Sequence, residues 1–176
     1  MGLRLQDIAA DVGISHPAVL HHFGSREGLV HAVIQRAILS LQEDLVRSLS
    51  ETQQGEVPDS AALLEHVFET LADRGHARLM AWLLLTGYDP FNEKARANWT
   101  QIGQVTHGLR LQRRKGKAKP SYEDTMFAIV LSALALFGQA IAGKSTFRVA
   151  GLDADPTAPK RFREWLAALL AAHMDS

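Results

Sequence analysis

The 176-residue chain has no cysteine, so a disulfide framework and a thiolate metal site are both excluded and a reducing compartment is the simpler expectation. Charge of either sign is also missing in bulk. Nineteen basic residues offset nineteen acidic ones, and no polyelectrolyte character advertises nucleic acid. Strand-like alternation, internal repeats, a glycine-rich phosphate loop, a nucleophile elbow and a metalloprotease motif are all lacking, so neither an enzyme nor a bound cofactor or metal is expected. The opening MGLRLQD has no apolar core of the kind a secretion signal needs, and the expected location is the cytoplasm. The single long uncharged run, Met126 to Gly143, sits at the lower limit for a membrane span. Ser132, Gly138, Gln139 and Gly143 dilute it and no aromatic belt frames it, so it reads as a buried helix. With 47% hydrophobic residues, the chain can bury a real core as one or two compact, all-α units.

What is present begins at Leu5 to Phe23, LQDIAADVGISHPAVLHHF. Leu5, Ile8, Ala9 and Val12 recur at three- and four-residue spacing and give a first short helix one apolar face. Gly13 supplies the left-handed exit, with Ile14 anchoring the turn. Ser15 is placed to cap a second helix, and Pro17 falls in its first turn, where a missing N–H costs little. Val19, Leu20 and Phe23 form its buried side. Ser15, His16, Ala18, His21 and His22 are left toward solvent. Two helices about a glycine turn, the second presenting small and hydrogen-bonding side chains, have the geometry that lays a helix in the DNA major groove. A solvated face or an inert helical hairpin shares that spacing. A metal site on His16, His21 and His22 is weaker still, because adjacent helical residues point about 100° apart.

The order IAADVGIS, HPAVLHHF, GSREGLVHAVI resembles the DNA-binding segment of the tetracycline-repressor (TetR) family of bacterial transcriptional regulators. The resemblance implies an all-helical homodimer that binds a palindromic DNA operator and is released by a small apolar effector. Carried over residue by residue, it places Ser15, His16, Pro17 and Ala18 near base edges and phosphates, with His21 and His22 on the next exposed turn. Arg26 replaces the usual lysine, and Gln6 joins the DNA-facing set. Leu20 stands where the family commonly has a phosphate-contacting tyrosine. The family's further helix ahead of this segment is missing, so an incomplete DNA-binding unit is expected. Between Met1 and His31, Arg4 and Arg26 face Asp7, Asp11 and Glu27, a net charge of −1 where phosphate contacts favour the opposite sign.

Ser25 opens a long helix from Arg26 to about Ser50, with Leu29, Val33, Ala37, Ile38, Leu41, Leu45 and Leu49 along one stripe. The functional boundary is set inside it: residues 1–36 as the helix-turn-helix unit, 37–176 as the effector-binding and dimerisation domain. Glu51 to Pro58 reads as a linker, and Ser60 to Asp73 as an amphipathic helix closed by Arg74 and Gly75. His76 to Thr86 is apolar nearly all round and is expected to be buried. Asp89 and Pro90 signal the start of a helix carrying Trp99, Thr106 and His107. Phe68, Met80, Trp82, Trp99, Thr106, His107 and Phe127 are the candidate effector-pocket residues, against the plainer account of core filling. Arg110 to Lys119 reads as a helix end whose dipole favours cations, followed by a solvated loop. Lys144 to Asp155 is expected to be a loop, and Asp155 with Pro156 to start the last helix. Leu134, Phe137, Ile141, Phe162, Trp165, Leu166, Leu169 and Leu170 form the expected dimer face, the resemblance implying a four-helix interface. The alternatives are a helical ligand-binding dimer that has lost DNA binding, an enzyme in which His66 and His107 converge, and a membrane-anchored protein.

Overall fold

The computed structural model describes residues 5–52, 60–72, 75–89, 91–113 and 119–175. Among these it contains eight helices and no strand: α1 (Leu5–Asp11), α2 (His16–Phe23), α3 (Arg26–Thr52), α4 (Ser60–Ala72), α5 (His76–Leu85), α6 (Glu93–Arg113), α7 (Tyr122–Val149) and α8 (Ala158–Asp175). The fold is all-α, as the periodicity indicates.

Helices α1 and α2 pack on each other, and α2 packs on α3. At 27 residues, α3 is about 40 Å long and leaves that unit to run beside α6, its main partner, with α5 and α4 against it as well. Helices α4, α7 and α8 form the far side. Two apolar cores result. Val30, Ile34 and Leu83 join α3 to α5, while Leu71, Ala77 and Leu136 join α4, α5 and α7.

Polar clamps close the outer joints. The Arg163 guanidinium of α8 meets Glu65 of α4 through two bonds, Nε to Oε2 at 2.6 Å and Nη2 to Oε1 at 2.7 Å, and lies over the Phe68 ring. Arg110 of α6, buried, donates to Asp124 and Thr125 of α7 and to the His173 and Met174 carbonyls at the end of α8. A cation there also meets the negative end of the α8 dipole. The Arg163 bond holds the Glu65 carboxyl below its usual range, and the Arg110 bond does the same for Asp124.

Several expectations are corrected. Helix α7 does not stop at Gly143 but continues to Val149, because Lys144 to Arg148 contains no breaker. It ends in a Schellman turn at Gly151, where the Leu152 N–H reaches the Phe147 carbonyl at 2.8 Å. Nor is α7 buried all round: Phe127, Val130, Leu131 and Leu134 lie open on one side. The same holds for α5, whose Ala77 and Leu83 are buried while Leu84 and Leu85 are exposed. Helix α6 starts at Glu93, capped by the Asn92 side chain on the Ala95 N–H, and Asp89 instead accepts from Phe91. Helix α8 starts at Ala158, two residues after Pro156, and Asp155 spends its carboxylate on the Thr157 N–H and hydroxyl. Arg110 is a buried tether rather than a solvated cation. Helix α3 runs on to Thr52, past the expected linker start at Glu51. The rest of that linker, 53–58, together with Arg74, Pro90 and residues 114–118, lies outside the described residues.

Candidate functional site

The N-terminal unit is built by its turns. Gly13 (φ +72°) ends α1 in a Schellman turn, its N–H on the Ala10 carbonyl at 3.2 Å and the Ile14 N–H on the Ala9 carbonyl at 2.9 Å. Ser15 caps α2, its hydroxyl accepting from the Ala18 N–H at 3.3 Å. Gly24 (φ 72°, ψ −45°) then forms a γ-turn of the rarer hand, closed by the Ser25 N–H on the Phe23 carbonyl at 2.8 Å. Ser25 caps α3 through the Gly28 N–H at 3.0 Å. The turn sets the Phe23 carbonyl over Gly28, where a Cβ would stand 2.0 Å from that oxygen. A glycine inside the first turn of α3 is therefore what permits α2 to sit so close.

Among the described residues of this unit, Ala9, Val19, Val30 and Ile34 are buried and apolar. Val12 (62% exposed), Ile14 and Leu20 remain open, contrary to the packing roles expected for them, because two short helices and one turn of α3 supply too little surface to enclose them. Gln6, Ser15, Pro17, Ala18, His21, His22 and Arg26 are all exposed, and His16 is half-buried. Ser15 spends its hydroxyl on the cap, and His22 leans edge-on against Phe23 at 4.6 Å. The side of α2 carrying Ser15, His16 and His21 is not sealed by the described residues of its own chain.

The second feature is a cavity of about 630 Å³ lined by α3 to α8. Ile38, Leu45, Leu64, Trp99, Leu136 and Met174 typify a wall that is mostly apolar, as ligand cavities are. Of the expected pocket residues, Met80, Trp99 and Thr106 line it. The other four stand elsewhere. Phe68 lies under Arg163, and Trp82 packs on the core of Val30, Ile34 and Leu83. His107 bonds Thr125 at 2.9 Å and meets Tyr122 edge-on, while Phe127 is 63% exposed. Conversely, Phe137 and Leu170, expected at a dimer face, are wall residues.

Sequence reasoning missed Gln42, Asp89, Phe91 and Arg110 as wall residues. Gln42 is 4% exposed and its Oε1 has no hydrogen-bond partner. Its signal was visible: a polar residue on the apolar stripe of α3, four after Ile38 and three before Leu45. An unpaired buried carboxamide costs about 1–3 kcal/mol, so its place in the wall needs a reason. Asp89 and Phe91 come from the connection between α5 and α6, and that connection also touches the helix bearing the N-terminal unit. His31 Nε2 of α3 donates to the Asp89 carbonyl at 3.1 Å. The Asp89 carboxylate in turn pairs with Arg96 at 3.2 Å.

A further apolar surface lies on α7 and α8. Leu134 (63% exposed), Ile141, Trp165 (59%) and Leu169 from the expected dimer set lie open, joined by Phe127, Val130 and Leu131. Leu166 is buried within the chain, and Phe162 is half-buried between Phe147 and Trp165. By length and composition α7 is also apolar enough to cross a membrane. His66 pairs loosely with Asp44 at 3.8 Å, whereas His107 faces α7, so the two histidines share no cleft.

A capped two-helix unit at one end of an all-helical bundle has the geometry of a helix-turn-helix. Residues 2–33 match the family described as bacterial regulatory proteins, tetR family. The match covers α1, α2 and the start of α3. No curated protein and no solved structure matches the chain.

Proposed function

We propose that the protein is a cytoplasmic one-component repressor, a homodimer that binds a palindromic operator and releases it when a small apolar effector fills the cavity. The open face of α2 carries the reading: it presents His16, Pro17, Ala18 and His21, with Ser15, His22, Gln6 and Arg26 around it, to the groove and its phosphates. His can donate to a phosphate or base acceptor, and Ala18 can touch a thymine methyl. The exposed stripe of α7 and α8 favours dimerisation, since a contiguous apolar face on two adjacent helices is what a four-helix interface buries. The symmetry then sets two α2 helices roughly 34–36 Å apart, one DNA turn. Asp89 and Phe91 lie on the cavity wall, and the same connection holds His31 of α3, so an occupant that moves this connection tilts α3 and spoils that spacing.

The net charge of −1 between Met1 and His31 favours one other reading, a helical ligand-binding dimer without DNA binding. A mobility shift with the DNA upstream of the coding sequence decides between them. A retarded band of two chains per duplex, sensitive to salt, supports the repressor. A dimer that retards no duplex at low salt supports the alternative.

A further inference from the structure

Resting on the reading of the cavity as an effector site, we propose that its occupant is an elongated, uncharged molecule with a single hydroxyl or amide N–H, held by the side chain of Gln42. Three observations carry this. The wall contributed by α6 runs from Ala95 to Arg113, eighteen helical steps and therefore about 27 Å, which suits an extended molecule. Gln42 stands part-way along the facing wall from α3, between Ile38 and Leu49, with its Oε1 unpaired and more than nine-tenths of the residue buried. A group that donates a hydrogen bond satisfies it.

The third observation concerns charge. Arg110 is the buried cation of the wall, and its guanidinium is taken up by Asp124, Thr125 and two α8 carbonyls. Arg96 is paired with Asp89. The Ser132 hydroxyl donates to the Ala128 carbonyl of its own helix. Arg113, also on the wall, is exposed at the end of α6. Among the described residues, an anion lodged in the interior would find no buried cation left to pair with and would suffer the cost of leaving water. The interior therefore selects a neutral occupant, and Gln42 sets where its one polar group lies.

The test compares 1-decanol, its methyl ether and decanoate by calorimetry on the wild-type protein and on the Gln42→Leu and Thr106→Val variants. The expected result is that wild type prefers the alcohol to the ether by about three- to tenfold, the worth of one net hydrogen bond. Gln42→Leu abolishes that preference while keeping the ether's affinity, and Thr106→Val leaves the preference intact. Melting of Gln42→Leu at or above the wild-type temperature shows that the variant folds. The inference is overturned if Gln42→Leu keeps the preference, if Thr106→Val removes it instead, or if decanoate binds most tightly and depends on Arg113. If no probe binds wild type, the cavity reading itself fails. If the alcohol binds as expected but leaves DNA binding unchanged, the ligand class stands and the repressor mechanism falls.

Discussion

Replacing Gly28 by alanine sets two effects of opposite sign against each other. In an exposed helix interior the change stabilises by about 1 kcal/mol, since alanine gives up less backbone entropy. In this chain the added Cβ would lie 2.0 Å from the Phe23 carbonyl oxygen and 3.2 Å from its carbon. Ordinary contact begins near 3.4 Å, so the oxygen must retreat by about 1.4 Å. It is backbone and is held by the Ser25 N–H, so the Gly24 turn and the end of α2 must retreat with it. Overpacking of this kind costs about 1–3 kcal/mol and outweighs the propensity gain. The expected net loss is up to about 2 kcal/mol, a melting temperature lower by a few degrees for a chain of this size. Displacing α2 relative to α3 should also lower operator affinity tenfold or more, as each misplaced base contact is worth about 1–3 kcal/mol. Effector binding should be unchanged, because the first α3 wall residue, Ile38, lies ten residues further along. Thermal melts, DNA titration and effector calorimetry on the same preparation supply the three readouts. An alanine variant that melts higher and binds the operator as well as wild type would refute the reasoning.

Three further outcomes follow from other parts of the molecule. Leu134→Glu or Trp165→Glu places a charge on the open α7 and α8 stripe and should convert dimer to monomer in sedimentation, with loss of operator binding; an unchanged dimer would move the interface elsewhere. Glu65 and Asp124 titrate lower in the folded chain than their ordinary values, so the unfolded chain binds more protons as pH falls. Stability from both clamps is complete above the ordinary carboxylate range and is lost as pH drops through it toward the lowered values, so melts should be flat from neutrality to about pH 5 and steepen below, less so in Glu65→Gln. His31→Leu removes the bond to the Asp89 carbonyl and should leave effector affinity within about twofold while blunting release from DNA, as expected for a residue that transmits rather than binds. Equal release by wild type and variant would show that the coupling runs by another route.

Helix positions were legible because apolar periodicity, the serine caps and the exit at Gly13 are local signals. The beginning of α6 was misplaced because Asp89 and Asn92 are both capping residue types, and it is the Asn92 side chain that takes the Ala95 N–H while Asp89 takes that of Phe91. Lys144 to Arg148 looked like a loop because four of its five residues are polar, yet polar residues on a helical turn break nothing. The cavity was half legible. Trp99, Thr106 and Met80 lie on its wall, but whether an aromatic residue faces a cavity, a core or solvent depends on the rotation of its helix against neighbours distant in sequence, which is why Phe68, Trp82 and Phe127 fell elsewhere. Arg110 showed only as one charge in a basic run, since its partners Asp124, His173 and Met174 come from helices far along the chain.

The central claim is that the bare side of α2 is a DNA-reading surface. Its most direct measurement is an anisotropy titration of the duplex retarded in the mobility shift, against an unrelated duplex of equal length, with wild type and a His16→Ala, His21→Ala double variant. Wild type should favour the cognate duplex strongly, and the double variant should lose tenfold or more on it while remaining a folded dimer, since two base or phosphate contacts go at once. Equal affinity of wild type for both duplexes, or a double variant indistinguishable from wild type, would contradict the claim.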